Sequence, residues 1–325
     1  MSPRYFCIFF LCFATLLPAQ DTADLIDSLY AQGKSFYYDD QDYAQARTAF
    51  LQALELKLQQ AQEDERLMDI YVRLAKSEGR LRLLEDAEQH FKKSLVLAEK
   101  LFGADSYDYA DLLFELGNIY SSQYRPRLAI ETFKQSLAIQ KAHFGAESED
   151  VAMLYMTIGY SLTKMSSYPE AEAYYQQAFG LIHRVSDPKK SKAFYRIYSF
   201  LGNLYRYTGD YDRAINYLTK SLELKAAYVG DENDPSLDVY YRNLARAYEL
   251  NDEPEKALPL MQKSSDMTEL HYGPEHSTRA GALGELGNIY ADLGDYEKAL
   301  GLYQESRRIQ ELSMPPTHPY VIATL

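Results

Sequence analysis

Alanine returns along this chain as Ala46, Ala87, Ala129, Ala171, Ala214, Ala257 and Ala299, at intervals of 41, 42, 42, 43, 43 and 42 residues. The surroundings return with it: LGNLYRYTGDYDRAINYLTKSLEL, from Leu201 to Leu224, is echoed by LGNIYADLGDYEKALGLYQES, from Leu286 to Ser306. A self-similar period of this length restricts the chain to a stack of repeated units. With Leu201 and Leu286 set at position 7 of a unit, the alanines all fall at position 20. Position 8 is Ala75, Gly117, Gly159, Gly202, Ala245 or Gly287, and Lys34 is the exception. Position 24 is large throughout: Phe50, Phe91, Phe133, Tyr175, Leu218, Met261 and Tyr303.

Helical periodicity gives these positions a physical meaning. Positions 4, 7, 8 and 11 share one face of a first helix, and positions 20, 24, 27 and 28 share one face of a second. Small residues at 8 and 20 let the two backbones approach, and the large residue at 24 fills the space beside them. Asp210 and Asp295 start second helices after turns at Gly209 and Gly294. Such a hairpin cannot bury its apolar face alone, so neighbours must stack. The spacing therefore predicts an all-α fold, an α-α superhelix or solenoid. Its units lie near 27–67, 68–109, 110–151, 152–194, 195–237, 238–279 and 280–321, and VIATL at 321–325 would begin an eighth.

These residues resemble the tetratricopeptide repeat, whose pattern is a large residue, Leu-Gly, Tyr, Gly-x-Tyr, Ala, an aromatic and a small residue at these offsets. The resemblance covers residues 21–325 and is weakest in the first two units, where Gly33-Lys34 replaces Leu-Gly and Glu78 replaces tyrosine. Gly103, Gly145, Gly230 and Gly273 stand at position 36, where a glycine after a helix predicts a left-handed C-terminal cap. Long repeats with such loops are similar to the kinesin-light-chain type.

The first twenty residues, MSPRYFCIFFLCFATLLPAQ, carry one charge, an apolar run from Tyr5 to Leu17, and then Pro18, Ala19 and Gln20. This is the layout of a secretory signal peptide, 1–20, and its run is shorter than the roughly 20 residues a membrane span needs. The expectation is export to the periplasm, the cell surface or the medium of a bacterium, with no stable membrane insertion after cleavage. Cys7 and Cys12 are the only cysteines and both lie in this leader, so thiol chemistry leaves with it. A formal net charge of −13 argues against nucleic acid as a partner.

Motifs of catalysis are missing: no HExxH, GxSxG, GxGxxG or P-loop pattern occurs. His271 and His276 straddle Gly273-Pro274 with only Glu275 nearby, fewer ligands than a metal needs, and DENDPSLDV lacks the central glycine of a calcium loop. The reading is a non-enzyme without cofactor or metal. Many of the 30 tyrosines are expected in the core, as Tyr120, Tyr205, Tyr248 and Tyr290 at position 11 and Tyr43, Tyr168, Tyr211 and Tyr296 at position 17.

The tetratricopeptide resemblance implies a concave face lined by positions 2, 5, 9 and 12 of the first helices. Asn118, Asn203 and Asn288 take position 9 in alternate units, and an amide can both donate to and accept from an extended peptide. Arg196, Arg206, Arg242 and Arg246 add four guanidinium groups suited to an acidic or carboxylate-bearing partner. A plainer reading pairs these arginines with acidic neighbours such as Asp238 or Glu249 and makes the asparagines inter-helix spacers. The expected function is an exported scaffold holding a protein or peptide partner. Two alternatives stay open: the recruiting array of a larger protein of CHAT-peptidase or histidine-kinase type, for which the unfinished eighth unit argues, and a module that self-associates end to end.

Overall fold

The computed structural model describes residues 19–187 and 190–313. The leader up to residue 18 and the VIATL segment lie outside them. Fourteen α-helices and one 3-10 turn make up the described chain. It divides into two compact units, Met1–Ala146 and Glu147–Leu325. In the first, α1 (Ala19–Tyr38) pairs with α2 (Tyr43–Gln59), α3 (Glu65–Arg80) with α4 (Leu84–Phe102), and α5 (Tyr107–Ser122) with α6 (Pro126–Phe144). In the second, α7 (Glu149–Lys164) pairs with α8 (Tyr168–Val185), α9 (Lys192–Thr208) with α10 (Tyr211–Val229), α11 (Asp238–Leu250) with α12 (Pro254–Tyr272), and α13 (Ser277–Asp292) with α14 (Tyr296–Ser313). The odd-numbered helices are the first helices of the hairpins. None of the described helices is long and apolar enough to cross a membrane.

The close approach is present in each hairpin. Ala46, Ala87, Ala129, Ala171, Ala214 and Ala257 are fully buried, and a Cβ built on Gly159, Gly202 or Gly287 would lie 2.6 or 2.7 Å from Tyr175, Leu218 or Tyr303. Serine at position 27 adds a tie that the periodicity did not suggest. Ser136, Ser221 and Ser306 donate to the position-1 carbonyls of Ala110, Tyr195 and Ala280 at 2.6–2.7 Å, joining second helix to first.

The structure departs from several expectations. Lys34 is exposed, and it is Gly33 that sits buried under Phe50, so the first hairpin is no exception to the small-residue rule. The extra residue is in the turn, which has four residues (39–42) where 81–83, 123–125 and 165–167 have three. Accordingly Asp42 N bonds Phe36 O across six residues, whereas Leu83, Arg125 and Ser167 bond Glu78, Tyr120 and Leu162 across five. The glycines at position 36 also differ from the expected left-handed cap. Gly230 adopts it (φ 70°, ψ 7°), but Gly103, Gly145 and Gly273 combine positive φ with ψ of 154–168°, a region essentially closed to other residues. Asp210 and Asp295 do cap their helices, accepting from Arg213 N and Lys298 N.

Glu78 is fully buried where the other units favour tyrosine. Its carboxylate accepts from Arg47 Nε at 3.1 Å and faces His90 Nδ1 at 2.7 Å, and Arg47 reaches on to Asp86 at 3.2 Å. A buried charge persists only when paired in this way. Tyr120 and Tyr205 lie in the core as expected, but Tyr43, Tyr168, Tyr211, Tyr248 and Tyr290 are only partly buried and Tyr296 is largely exposed.

Gly159→Val should lower stability by about 1–3 kcal/mol through overpacking against Tyr175. Denaturant titration checks this, and an unchanged midpoint would mean that the two backbones part at no cost.

Candidate functional site

Positions 2, 5, 9 and 12 lie on the odd-numbered helices, turned away from the small-residue seam that holds each hairpin together. Asn118 is on α5 in the first unit, and the other six candidates are on α9, α11 and α13 in the second.

In the second unit the four arginines fall into two kinds. Arg246 forks onto Glu285 of the following hairpin, with Nε 3.1 Å from Oε2 and Nη2 in contact with Oε1. Arg242 reaches Asp238, one turn earlier on α11, at 3.3 Å. Both are thus neutralised within the chain, Arg242 by the partner the plainer reading named and Arg246 by Glu285 instead of Glu249. Arg196 and Arg206 have no carboxylate partner among the described residues. The Arg196 guanidinium lies 3.9 Å from Met153 Sδ and 5.9 Å from the ring centre of Phe200. That of Arg206 packs 4.6 Å from the Tyr207 ring and donates from Nη2 to Asn203 Oδ1 at 3.1 Å, while its Nε is buried without a partner.

The asparagines are engaged to different degrees. Asn203 donates to Ser199 O at 2.9 Å besides accepting from Arg206, so both ends of its amide are used within its own helix. Asn288 accepts from Tyr303 OH at 2.8 Å across its hairpin, which is the inter-helix spacer role. Asn118 has no side-chain partner among the described residues and is half-buried.

Aromatic residues around Arg196 and Arg206 escaped the sequence reading, which placed tyrosines mainly in the core. Tyr160, at position 9 of its unit, is 44% exposed and packs its ring 5.8 Å from Phe200, while Tyr207 is 48% exposed and stacks on Tyr168. The occurrence of tyrosine at position 9, where the alternate units have asparagine, was the available signal. Together these groups form a strip on α7 and α9 of two unneutralised guanidiniums set among half-exposed rings.

The first unit shows the same pairing habit. Lys76 at position 9 meets Glu115, at position 6 of the next hairpin, at 2.6 Å, the register in which Arg246 meets Glu285. Burial, with Glu115 and Asp108 adding to it, pushes the Asp111 carboxyl up despite Lys76. In the second unit, burial together with Asp292 and Glu285 raises Glu249, against the pull of Arg246.

The loop histidines have local partners. His276 Nδ1 accepts from Thr278 N at 3.2 Å and caps α13, and His271 Nε2 contacts Asn233 O. Among the described residues no three His, Cys, Asp or Glu side chains converge as a metal would need.

A family model described as tetratricopeptide repeat matches residues 66–142, 150–227, 193–270 and 236–312. No curated protein matches significantly. Among solved structures, BtubC (BKLC) from P. vanneervenii is 19% identical, covering 78% of this chain and 92% of its own, with a TM-score of 0.57. The apo form of RapI is 13% identical over 88% of this chain and 97% of its own, at 0.66. Aspartyl phosphate phosphatase F from Bacillus subtilis is 13% identical over 89% and 71%, at 0.65. At such identities the likeness is one of fold alone.

The raised carboxyl of Glu249 carries a pH dependence. A group whose folded pKa lies above its ordinary value of 4.5 favours the folded state below that value and loses this contribution as pH rises through the folded pKa. Glu249→Gln should therefore stabilise the chain at pH 7 and make no difference well below pH 4.5, as read from paired melts at the two pH values.

Proposed function

Because the chain belongs to the tetratricopeptide repeat family, we propose that it is a non-catalytic scaffold that holds a protein or peptide partner on the first-helix face of its second unit. The observation that carries this reading is the contrast between paired and unpaired cations. Arg242 and Arg246 spend their charge on Asp238 and Glu285, but Arg196 and Arg206 keep theirs beside Phe200, Tyr160 and Tyr207. Guanidinium forks match carboxylates, and aromatic surfaces beside them supply the apolar contact that makes a peptide site selective. The partner is accordingly an acidic segment with apolar or aromatic side chains between its carboxylates. Asn118, Asn203 and Asn288 contribute less, because the amides of the last two already serve neighbours.

The apolar leader before Gln20 supports an exported protein, periplasmic or secreted. Expression of the full gene followed by mass measurement of the cell envelope fraction should give a chain shortened by about 20 residues; recovery of the intact chain inside the cell would end the export reading.

Charge reversal tests the site. Arg196→Glu with Arg206→Glu should abolish binding of an acidic, tyrosine-containing peptide measured by calorimetry, and Arg242→Glu should reduce it far less. Equal losses from both variants would show that net charge, and not these two guanidiniums, governs capture.

A further inference from the structure

The first unit carries an open cleft of about 500 Å³ formed by the end of α2, the loop to α3, the first turns of α3, and α4. Leu67, Tyr71 and Leu97 make a buried floor, whereas Leu58 and Val96, which stand at its walls, are 51% and 66% exposed. Leu58 also borders a second apolar depression along α2, lined by Leu51 and Leu54. Two large exposed aliphatic side chains facing one hollow leave apolar surface uncovered, a cost that a bound apolar group removes.

Charge narrows the class of that group. Two lysines, Lys57 and Lys93, and one carboxylate, Glu63, line the hollow, and Lys100 stands beside Glu63. Lys57 is neutralised by Asp64 at 2.6 Å, and Lys100 by Glu63 at 2.5 Å. Lys93 has no carboxylate among the described residues; its ammonium lies 5.4 Å from the ring centre of Tyr71, at the lip of the cleft. In a chain of net charge −13, one unneutralised cation therefore borders an apolar hollow of a size that accommodates a small molecule.

We propose that this cleft binds an alkyl carboxylate, with its chain between Leu58 and Val96 over Leu67, Tyr71 and Leu97 and its carboxylate on Lys93. The hydrocarbon supplies the cover that the aliphatic walls lack, and the head group supplies the countercharge that Lys93 lacks. A neutral alcohol satisfies only the first demand. This site is independent of the partner-binding strip in the second unit, and its residues are on different helices.

The test is titration of the full chain with sodium decanoate below its micellar concentration, followed by methyl NMR, with 1-decanol as the uncharged probe. Saturable shifts at Leu58 and Val96 are expected, with decanol and the Lys93→Gln variant each binding at least about tenfold more weakly. Val96→Asp should abolish the shifts, and the exposure of both side chains should leave the circular dichroism melt of each variant near that of the parent. No saturable shift, equal binding of decanol, or undiminished binding in Lys93→Gln would each overturn the proposal. So would binding of a peptide ending in leucine while decanoate fails to bind, since the cleft would then read a chain terminus.

Discussion

Everything in this molecule depends on how closely two helix backbones can pass. At position 20 alanine is buried in each described hairpin, and opposite it glycine or alanine lies under a large side chain from position 24. That contact consumes one face of each helix, so a hairpin must stack on its neighbours to cover what remains. The serine-to-carbonyl bonds of Ser136, Ser221 and Ser306 fix the angle at which the helices meet. With the seam thus occupied, positions 2, 5, 9 and 12 of the first helices remain outside it.

Neighbouring hairpins compete with any partner for the charges on that surface. Lys76 with Glu115 and Arg246 with Glu285 occupy the same register between successive first helices, one in each unit. Each such rung lowers the number of cations available to a ligand. Arg196 and Arg206 differ because Met153, Phe200, Asn203 and Tyr207 surround them instead of carboxylates. A count of basic residues on this face treats all of these cations alike and cannot separate the paired from the unpaired.

Departures from the repeat pattern turn out to be local exchanges. Glu78 replaces tyrosine and is balanced by Arg47 and His90, two residues from adjacent second helices. Left-handed backbone recurs at the hairpin turn in Gln41, Arg82, Tyr124, Ser166 and Asp252 as well as in Gly209 and Gly294. The turn is thus imposed by the hydrogen bond that closes each first helix, with a glycine in only two of the seven. A search for glycine therefore finds two turns and overlooks five.

The amino-acid sequence by itself determined the period, the two helices of each unit, the seam of small residues and the capping aspartates, because helical periodicity and the need for close approach act over a few residues and leave a regular trace. It also singled out Asn118, Asn203, Asn288 and four arginines on the first helices as the residues of the face proposed for a partner. Tertiary structure decided that Gly33 and not Lys34 lies in the seam, since a single added turn residue shifts the register without changing the pattern on either side. It also decided which arginines are free. Glu285 lies 39 residues beyond Arg246, and whether two such side chains meet depends on how one hairpin is seated on the next, a geometry that no local spacing encodes.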